Sequence, residues 1–304
     1  MTEKKISTIS ASPKTRKLAR ELGADLHLVK GTQREGRINE DDIKTYVKES
    51  FLVPKKKQKQ IEIQEYSHSE FGKVDEQTMP RIKKIAGPHL QKSWNEIPHV
   101  TQHDEADITE METFRKSLKD LYTGKKISVT PLAFIIRAVV NALKEYPNFN
   151  TSLDLKNEKI IYKKYYHIGI AVDTPHGLMV PKIRDADQKD ITSIGKELKR
   201  VSKLSSELKI NKKEFFGGSM TISSLGSIGG SFFTPIINLP EVAILGVGRA
   251  EKKQVFTGNK FESRIMLPLS LSYDHRVIDG AEGARFCGHL KESLGKDFAY
   301  RLAV

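Results

Sequence analysis

His275 is the residue of this sequence best suited to acid–base chemistry. It lies in the segment 271–280, LSYDHRVIDG, after an apolar run that predicts a strand, and Asp279 follows it by four residues at a predicted helix start. A neutral imidazole accepts a proton near neutral pH, and the Asp can hold neighbouring backbone or an arginine in place. Because a lone His at a strand end is more often structural than catalytic, the residue alone leaves both interpretations open.

Ser223 is a second candidate, in the segment 217–226, GGSMTISSLG. A hydroxyl can donate a hydrogen bond to an oxyanion that develops during a reaction. A nucleophilic serine is disfavoured because no Gly-x-Ser-x-Gly elbow surrounds it, and an ordinary turn serine is the more frequent interpretation of the residue alone. The glycines at 217–218 and 226–230 match neither a P-loop nor a dinucleotide fingerprint, which argues against a nucleotide-binding fold.

Several segments together resemble one family. The pattern His275-x-x-x-Asp279-Gly280 resembles the active-site signature of the dihydrolipoamide acyltransferases, the core components of 2-oxo acid dehydrogenase complexes, and chloramphenicol acetyltransferase shares that signature. Further segments resemble the peripheral subunit-binding domain at 12–48, the start of the catalytic domain at 81–82 and 94–100, the second active-site segment at 217–226, and the stretches after it at 234–240 and 242–247. The resemblance covers nearly the whole chain from Ser12 onward.

The resemblance implies roles for three residues. His275 would be the base that deprotonates the coenzyme A thiol, or dihydrolipoamide in the reverse direction. Such a base is needed because a thiol has a pKa above neutral and attacks only after it loses its proton. Ser223 would donate its hydroxyl to the tetrahedral oxyanion, and Asp279 would organise the site without acting as acid or base. The resemblance implies no metal.

The resemblance also implies contacts to both substrates. Arg115 matches a position that contacts the phosphates of coenzyme A, although a solvated helix charge is equally expected from the residue alone. Ile236 and Asn238 would line the lipoamide side of the channel, and ordinary core and turn positions explain them as well. The lipoyl group would come from another domain or chain, because no lipoyl-lysine segment is present in this sequence.

The resemblance implies a trimer whose active site is shared between chains. His275 would come from one chain and Ser223 from its neighbour, with coenzyme A and lipoamide entering opposite ends of a channel. The trimers would assemble into a cubic 24-mer. The segment 221–224, Thr-Ile-Ser-Ser, favours the acetyl-transferring type of pyruvate dehydrogenase complexes. An acyltransferase of another 2-oxo acid complex and a catalytically idle scaffold for partner enzymes are the alternatives.

Composition and the family resemblance together divide the chain into four predicted parts. Residues 1–11 are expected to be disordered, 12–48 to be a peripheral subunit-binding domain, and 49–78 to be a flexible charged linker. Residues 79–304 are expected to form an α+β catalytic domain, like chloramphenicol acetyltransferase, with a mixed sheet and helices. Strands are predicted at 166–172, 178–183, 220–224, 242–247 and 266–273. Helices are predicted at about 82–94, from Ile108 to Tyr122, from Thr130-Pro131 onward and at about 281–294.

Residues 12–48 predict a small all-α docking unit. Ser12-Pro13 and Asn39 are helix-start signals, and Gly23 ends the first helix. Three basic side chains would face an acidic patch on dihydrolipoyl dehydrogenase or on pyruvate dehydrogenase, the decarboxylase: Arg16, Arg20 and Arg37. Nucleic acid is a weaker alternative because aromatic stacking residues are not interleaved with these charges.

The composition of the 304 residues is that of a globular chain with a basic N-terminal part. The net charge is +13, and residues 1–60 hold 15 Lys and Arg against 8 Asp and Glu. No run approaches the ~18 apolar residues of a membrane span, and the N-terminus lacks a secretory signal, so a cytoplasmic location is expected. The single cysteine, Cys287, excludes an internal disulfide and is interpreted as a small buried hydrophobe in preference to a nucleophile.

Overall fold

The structure is a computed structural model that describes residues 10–51, 66–119 and 123–302. Most of the predicted N-terminal segment, 1–11, and the central part of the predicted linker, 49–78, lie outside these described residues. The chain divides into two compact units, with the boundary between Glu76 and Gln77.

The first unit contains two α-helices, α1 (Pro13–Glu21) and α2 (Glu40–Phe51). Both helix starts follow from local side chains, because Ser12 Oγ accepts the backbone N–H three residues on at 3.1 Å and Asn39 Oδ1 does the same at 2.8 Å. The two helices and their connection enclose a small core, made by Ala19, Val29, Ile38 and Ile43. These observations confirm the predicted all-α unit.

The second unit combines helices with strands. Its helices are α3 (Arg81–Glu96), α4 (Thr109–Ser117), α5 (Pro131–Glu145), α6 (Ile191–Ser206), α7 (Gly280–Leu294) and α8 (Phe298–Leu302). Its strands are β1 (His99–Asp107), β2 (Thr151–Asp154), β3 (Lys159–Tyr162), β4 (Ile168–Ile170), β5 (Lys182–Ile183), β6 (Met220–Ser224), β7 (Ala243–Val247), β8 (Glu251–Thr257) and β9 (Lys260–Asp274). Among the described residues, no helix has the length and apolar character that a membrane crossing requires.

Seven strands form one mixed sheet in the order β1-β9-β7-β6-β4-β5, with β8 also paired to β9. The pairs β4–β6 and β6–β7 are parallel, and the pairs β1–β9, β7–β9, β8–β9 and β4–β5 are antiparallel. Strands β2 and β3 form a separate antiparallel pair. The second unit therefore has the predicted α+β fold with a mixed sheet.

The two faces of this sheet differ in polarity. One face carries the apolar side chains that join the main core with α5, α6 and α7, as the alternation in β9 predicts: Leu267, Leu269, Leu271 and Tyr273. The opposite face carries hydroxyls and histidines that hydrogen-bond across strands, such as Thr101 with Ser272 at 2.7 Å and His103 with Ser270 at 2.9 Å. Ser223 alternates with the buried Ile222 on β6 and therefore lies on the polar face.

The predicted strands have mixed outcomes. The strands predicted at 220–224, 242–247 and 266–273 are confirmed as β6, β7 and the second half of β9. The regular strands within 166–172 and 178–183 are much shorter than predicted, because β4 and β5 pair over only three and two residues. The sequence does not predict strands β1, β2, β3 and β8 or helices α6 and α8.

Candidate functional site

The backbone around His275 is fixed from both sides. The buried Asp274 ends β9, and its carboxylate accepts hydrogen bonds from the Arg276 guanidinium at 2.9 and 2.6 Å and from the Arg276 backbone N–H at 3.0 Å. Hydrogen bonding to Asp274 raises the pKa of Arg276 despite partial burial. The His275 N–H donates to the Pro98 carbonyl at 3.1 Å. The histidine therefore begins a turn that has little freedom to move.

The His275 side chain is exposed on this fixed backbone. Within the part of the chain that the structure describes, neither of its ring nitrogens has a hydrogen-bond partner. The nearest aromatic ring is Tyr273, with ring centroids 6.1 Å apart and an interplanar angle of 31°. An exposed imidazole with free nitrogens is available to take a proton from a ligand.

Asp279 has an organising place in the turn after His275. It is the N-cap of α7, where its carboxylate accepts the Glu282 N–H at 2.8 Å. The preceding Ile278 is fully buried. The turn that presents His275 is thus anchored by β9 at one end and by the capped start of α7 at the other.

Ser223 lies near the carboxyl end of β6, where it is half-buried and paired with Gly246 of β7. Among the described residues, its hydroxyl has no hydrogen-bond partner, so the group is free to donate. Gly246 in turn pairs with Ser270 of β9. These pairings between strands β6, β7 and β9 determine how far Ser223 lies from His275 within one chain.

A single chain keeps Ser223 and His275 apart. Asp274, directly before the histidine, lies four residues beyond Ser270 along β9, which is roughly 13 Å at ~3.3 Å per residue. Two strand spacings of ~4.8 Å separate β6 from β9 in the perpendicular direction, which brings the separation to roughly 16 Å. Within one chain, the backbones of Ser223 and of the residue that precedes His275 are therefore roughly 16 Å apart.

The segment 236–241 carries the residues predicted for the lipoamide side. Ile236 is half-buried, and the Asn238 amide is held at both ends. Asn238 Nδ2 donates to Glu241 Oε1 at 3.2 Å, and its Oδ1 accepts from His89 Nε2 of α3 at 3.1 Å. The amide is therefore presented in one orientation.

His99 is a residue of this site that sequence reasoning included only in a wider motif. Its Nδ1 donates to the Ile97 carbonyl at 2.8 Å, and its Nε2 accepts the Ile237 N–H at 3.0 Å. Because both nitrogens are engaged, His99 joins the start of β1 to the segment 236–241 and has no free ring nitrogen for a ligand. A histidine beside a proline in the sequence does not reveal this arrangement.

Arg115 is engaged within its own chain. Its guanidinium forms two parallel hydrogen bonds to Glu112, at 2.7 and 2.9 Å, and donates a third to the Val129 carbonyl at 2.8 Å. The bonds to Glu112 raise the pKa of Arg115 although partial burial opposes this. Arg115 does not line the adjacent large cavity, whereas Glu112 and Lys116 do.

That cavity has a volume of about 1060 Å³. Part of its wall is apolar and comes from both the helices and the sheet: Ile135, Leu198, Ile170, Val247 and Leu267. Another part is basic: Lys116, Lys199, Lys203, Arg249 and Lys252. Ser224, directly after Ser223, also lines it. The combination suits a long ligand with an apolar arm and anionic groups.

The three predicted docking arginines lie in the first unit, where all three are exposed. Arg16 and Arg20 are four residues apart on α1 and therefore share one face of the helix. Arg37 follows the short 3-10 turn. Their exposure leaves these guanidinium groups accessible to an acidic surface.

Two segments of the chain match protein families. Residues 71–299 match the family described as 2-oxoacid dehydrogenases acyltransferase (catalytic domain), and residues 9–44 match the e3 binding domain.

Two relatives are similar over nearly the whole chain. The dihydrolipoyllysine-residue acetyltransferase components of the pyruvate dehydrogenase complexes of Cupriavidus necator and Haemophilus influenzae are 47% and 44% identical to it. The alignments cover 91% and 93% of this chain but only 52% and 53% of those proteins. The chain thus spans about half the length of these relatives.

Two solved structures are similar to most of the chain. The cubic core of the pyruvate dehydrogenase multienzyme complex is 44% identical, with a TM-score of 0.75, and the dihydrolipoamide acetyltransferase (E2p) of Azotobacter vinelandii is 43% identical, with a TM-score of 0.76. Each comparison covers 80% of this chain and 99% of the other. The Azotobacter structure addressed the catalytic roles of a serine, a histidine 52 positions after it, and an asparagine four positions after the histidine.

Proposed function

The chain belongs to the 2-oxoacid dehydrogenases acyltransferase family, and from this premise we propose that it transfers an acetyl group between dihydrolipoamide and coenzyme A. We further propose that it acts in the core of a pyruvate dehydrogenase complex. The names of the Cupriavidus and Haemophilus relatives support both the acetyl group and the complex.

The observation that carries the proposal is the free imidazole of His275 in its fixed turn. Ser223 precedes it by 52 positions and Asp279 follows it by four, the same spacings as the serine, histidine and asparagine of the Azotobacter enzyme. Here an aspartate stands where that enzyme has asparagine. Because Asp279 accepts a backbone N–H at the start of α7, its proposed role is to organise the turn.

The proposed reaction uses His275 as a base. The imidazole takes the proton of the coenzyme A thiol, and the resulting thiolate attacks the carbonyl carbon of acetyl-dihydrolipoamide. The Ser223 hydroxyl of a neighbouring copy donates a hydrogen bond to the oxyanion of the tetrahedral intermediate. Collapse of the intermediate expels the dihydrolipoamide sulfur, which takes back the proton from His275. The separation within one chain supports this division between two copies.

Coenzyme A is proposed to occupy the large cavity beside Ser224. The apolar wall suits its pantetheine arm, and Lys116 and Arg249 suit its phosphates. Arg115 would reach a phosphate only by exchanging its bonds to Glu112, so its phosphate contact stays a prediction. Ile236 and Asn238 are proposed to face the lipoyl side, and the lipoyl-bearing lysine to belong to another domain or chain.

The assembly and the partners are proposals of the same kind. We propose that trimers of the chain assemble into a cubic 24-mer, which the similarity to the cubic core supports. Residues 12–48 would bind dihydrolipoyl dehydrogenase and pyruvate dehydrogenase, as the match to the e3 binding domain supports. Arg16, Arg20 and Arg37 would provide the charge for this docking, residues 49–78 the linker, and residues 79–304 the catalysis.

An assay of acetyl transfer from acetyl-coenzyme A to free dihydrolipoamide tests the activity. The wild-type chain should turn over, and His275→Ala should lose activity by at least about a hundredfold, since a positioned base contributes that much or more. His176→Ala, at another exposed histidine of the second unit, is the matched control and should keep full activity. A folded wild-type assembly without turnover would refute the proposal and favour the idle scaffold.

A further inference from the structure

A buried ion pair lies on the polar face of the sheet, beyond the residues assigned above. Lys182 of β5 and Glu241, just before β7, are only 1% and 2% exposed, and Lys182 Nζ donates to Glu241 Oε1 at 2.5 Å. Desolvating two charges costs so much that a buried pair is weak evidence for added stability. The groups that the ion pair holds in place therefore indicate its role better than its contribution to stability does.

The Glu241 carboxylate joins two parts of the proposed site. Its Oε2 accepts the Thr221 hydroxyl at 2.6 Å, and its Oε1 accepts Asn238 Nδ2 at 3.2 Å. Thr221 lies two residues before Ser223 on the same face of β6. One carboxylate thus links the strand of the proposed oxyanion donor to the amide proposed for the lipoyl side.

Two glycines leave the space that this arrangement needs. Gly169 of β4 pairs with Lys182 on one side and with Thr221 on the other, so the lysine side chain crosses the glycine to reach β6. A Cβ on Gly169 would lie 2.5 Å from Thr221 Oγ1 and 2.6 Å from Lys182 Nζ. A Cβ on Gly218 would overlap Glu241 Oε1. The local backbone accommodates the ion pair because both positions lack a side chain.

The peptide around Asn238 is also held by its neighbours. His99 Nε2 accepts the Ile237 N–H, and Ser152 Oγ of β2 donates to the Pro240 carbonyl at 2.6 Å. With the backbone fixed at these two points, the remaining freedom of Asn238 lies largely in its side chain. Glu241 removes that freedom by accepting from the amide nitrogen, which leaves Oδ1 directed to His89.

We propose that Glu241, held by Lys182, is a positioning residue for the lipoyl substrate: it fixes the Asn238 amide relative to the strand that carries Ser223. The inference rests on the proposed acetyl transfer and deepens it. Glu241 touches no reacting atom and acts through Asn238. Its loss should therefore weaken the use of dihydrolipoamide far more than the use of acetyl-coenzyme A, whose cavity it does not line.

Glu241→Gln in the full chain is the direct test. A neutral amide keeps the shape but offers one acceptor oxygen where Lys182, Thr221 and Asn238 now use two. The KM for dihydrolipoamide should rise about tenfold, while the KM for acetyl-coenzyme A changes by less than about twofold. Glu197→Gln, in the ion pair with Arg200 on the surface of α6, is the matched control and should change neither KM.

Combining two substitutions separates a positioning role of Glu241 from a general structural role. If Glu241 acts through Asn238, then adding Glu241→Gln to Asn238→Ala should not raise the KM for dihydrolipoamide further. Equal rises in both KM values, or full additivity of the two substitutions, would overturn the inference. Should Glu241→Gln fail to assemble, Thr221→Val removes one link and leaves the ion pair; an unchanged KM for dihydrolipoamide would then count against the proposal.

A direct measurement of dihydrolipoamide binding tests the positioning role of Glu241 separately from the proposed acetyl transfer. The Kd of dihydrolipoamide for the intact assembly can be measured by calorimetry for wild type and Glu241→Gln. If wild type binds dihydrolipoamide but transfers no acetyl group, the proposed function fails while a Kd raised about tenfold in the variant still supports positioning. Absence of binding to wild type, or an equal Kd in the two proteins, would refute the positioning role.

Discussion

At the scale of single residues, two neighbouring histidines differ in what their ring nitrogens do. His99 uses both nitrogens to join backbone groups at 2.8 and 3.0 Å, whereas the ring of His275 is exposed and unengaged among the described residues. Sequence position alone cannot separate these cases, because both histidines lie at the ends of strands. The motif around His275 predicts that residue as the base, and the structure shows that the two rings differ in hydrogen bonding.

Lys163 is a residue whose protonation should affect stability. It is buried, its Nζ donates to the Thr151 carbonyl at 2.8 Å, and burial lowers its pKa from 10.5 to about 8, with the charge of Glu241 raising it and that of Lys182 lowering it. Between about pH 8 and 10.5 the unfolded chain therefore binds a proton that the folded chain has released. The stability contributed by this residue should rise with pH across that window.

Lys163→Met tests this dependence. The melting temperature of wild type relative to the variant should increase from pH 7.5 to pH 9.5, because only wild type loses a buried charge as the pH rises. Melting followed by fluorescence at several pH values provides the measurement. The exposed neighbour supplies the control, and Lys164→Met should differ from wild type by a constant amount. The same constant offset for Lys163→Met would contradict the pKa shift.

At the scale of elements, the starts of helices can be predicted from the sequence, whereas the pairing of strands cannot. Ser12-Pro13 and Thr130-Pro131 mark the starts of α1 and α5, because caps and proline act within one helical turn. Strand β1 (His99–Asp107) has no apolar alternation to detect, since its hydroxyls and histidines bond to Ser270 and Ser272 across the polar face. Helix α6 was missed although Ile194, Leu198 and Val201 repeat at helical spacing and Asp190 caps it.

The connection between α1 and α2 depends on Asp42. Its carboxylate accepts the Thr32 N–H and hydroxyl at 3.1 and 2.7 Å and the Asn39 N–H at 2.9 Å. Burial opposes the charged form, but the hydrogen bonds from Asn39 and Thr32 outweigh it and lower the pKa of Asp42 below its usual 3.8. Because the pKa of Asp42 is lower in the folded state than in the unfolded chain, the carboxylate contributes fully to stability above about pH 4. This stabilisation is lost as the pH falls below that value towards the folded-state pKa.

Asp42→Asn should therefore destabilise the first unit at pH 7. The stability of the variant should also fall less than that of wild type when the pH is lowered below about 4. One amide oxygen cannot replace a carboxylate that accepts three hydrogen bonds, so a loss of about 1–3 kcal/mol is expected. Hydrogen exchange of α1 and α2 in the whole chain, corrected for intrinsic rates and compared between pH 7 and pH values below 4, measures the effect. Asp41→Asn, on the exposed side of the same turn, should exchange like wild type. Equal protection in wild type and Asp42→Asn would show that the carboxylate does not hold this loop.

At the scale of the whole molecule, the sequence predicts Ser223 and His275 as candidate reactive residues but does not give the distance between them. The resemblance assigned Ser223 and His275 to different chains, and neither residue type nor spacing gives a physical reason for that. The reason is the strand order, since β7 separates β6 from β9 and the registers place Ser223 roughly 16 Å from the end of β9. Such long-range pairing is invisible to local patterns, which explains why the motifs were readable while the site geometry was not.

The separation leads to a prediction about mixed assemblies. His275→Ala and Ser223→Ala should each be nearly inactive alone, the serine variant by roughly 10²–10³-fold for a lost oxyanion donor. When the two variants are unfolded and reassembled together, some sites receive His275 from one copy and Ser223 from another. Roughly a quarter of the sites formed at random from equal amounts would be intact. Acetyl transfer should recover to about that fraction of wild type.

The controls make this outcome specific to a shared site. Each variant reassembled alone should stay inactive, and a mixture of the two intact assemblies without unfolding should show no recovery, because no copies exchange. Recovery in the co-assembled sample alone requires that one active site draws on two chains. If co-assembled particles of normal mass stay inactive, Ser223 and His275 do not cooperate across a subunit boundary. In that case the free hydroxyl of Ser223 would need another role, and the oxyanion would be stabilised by a different donor.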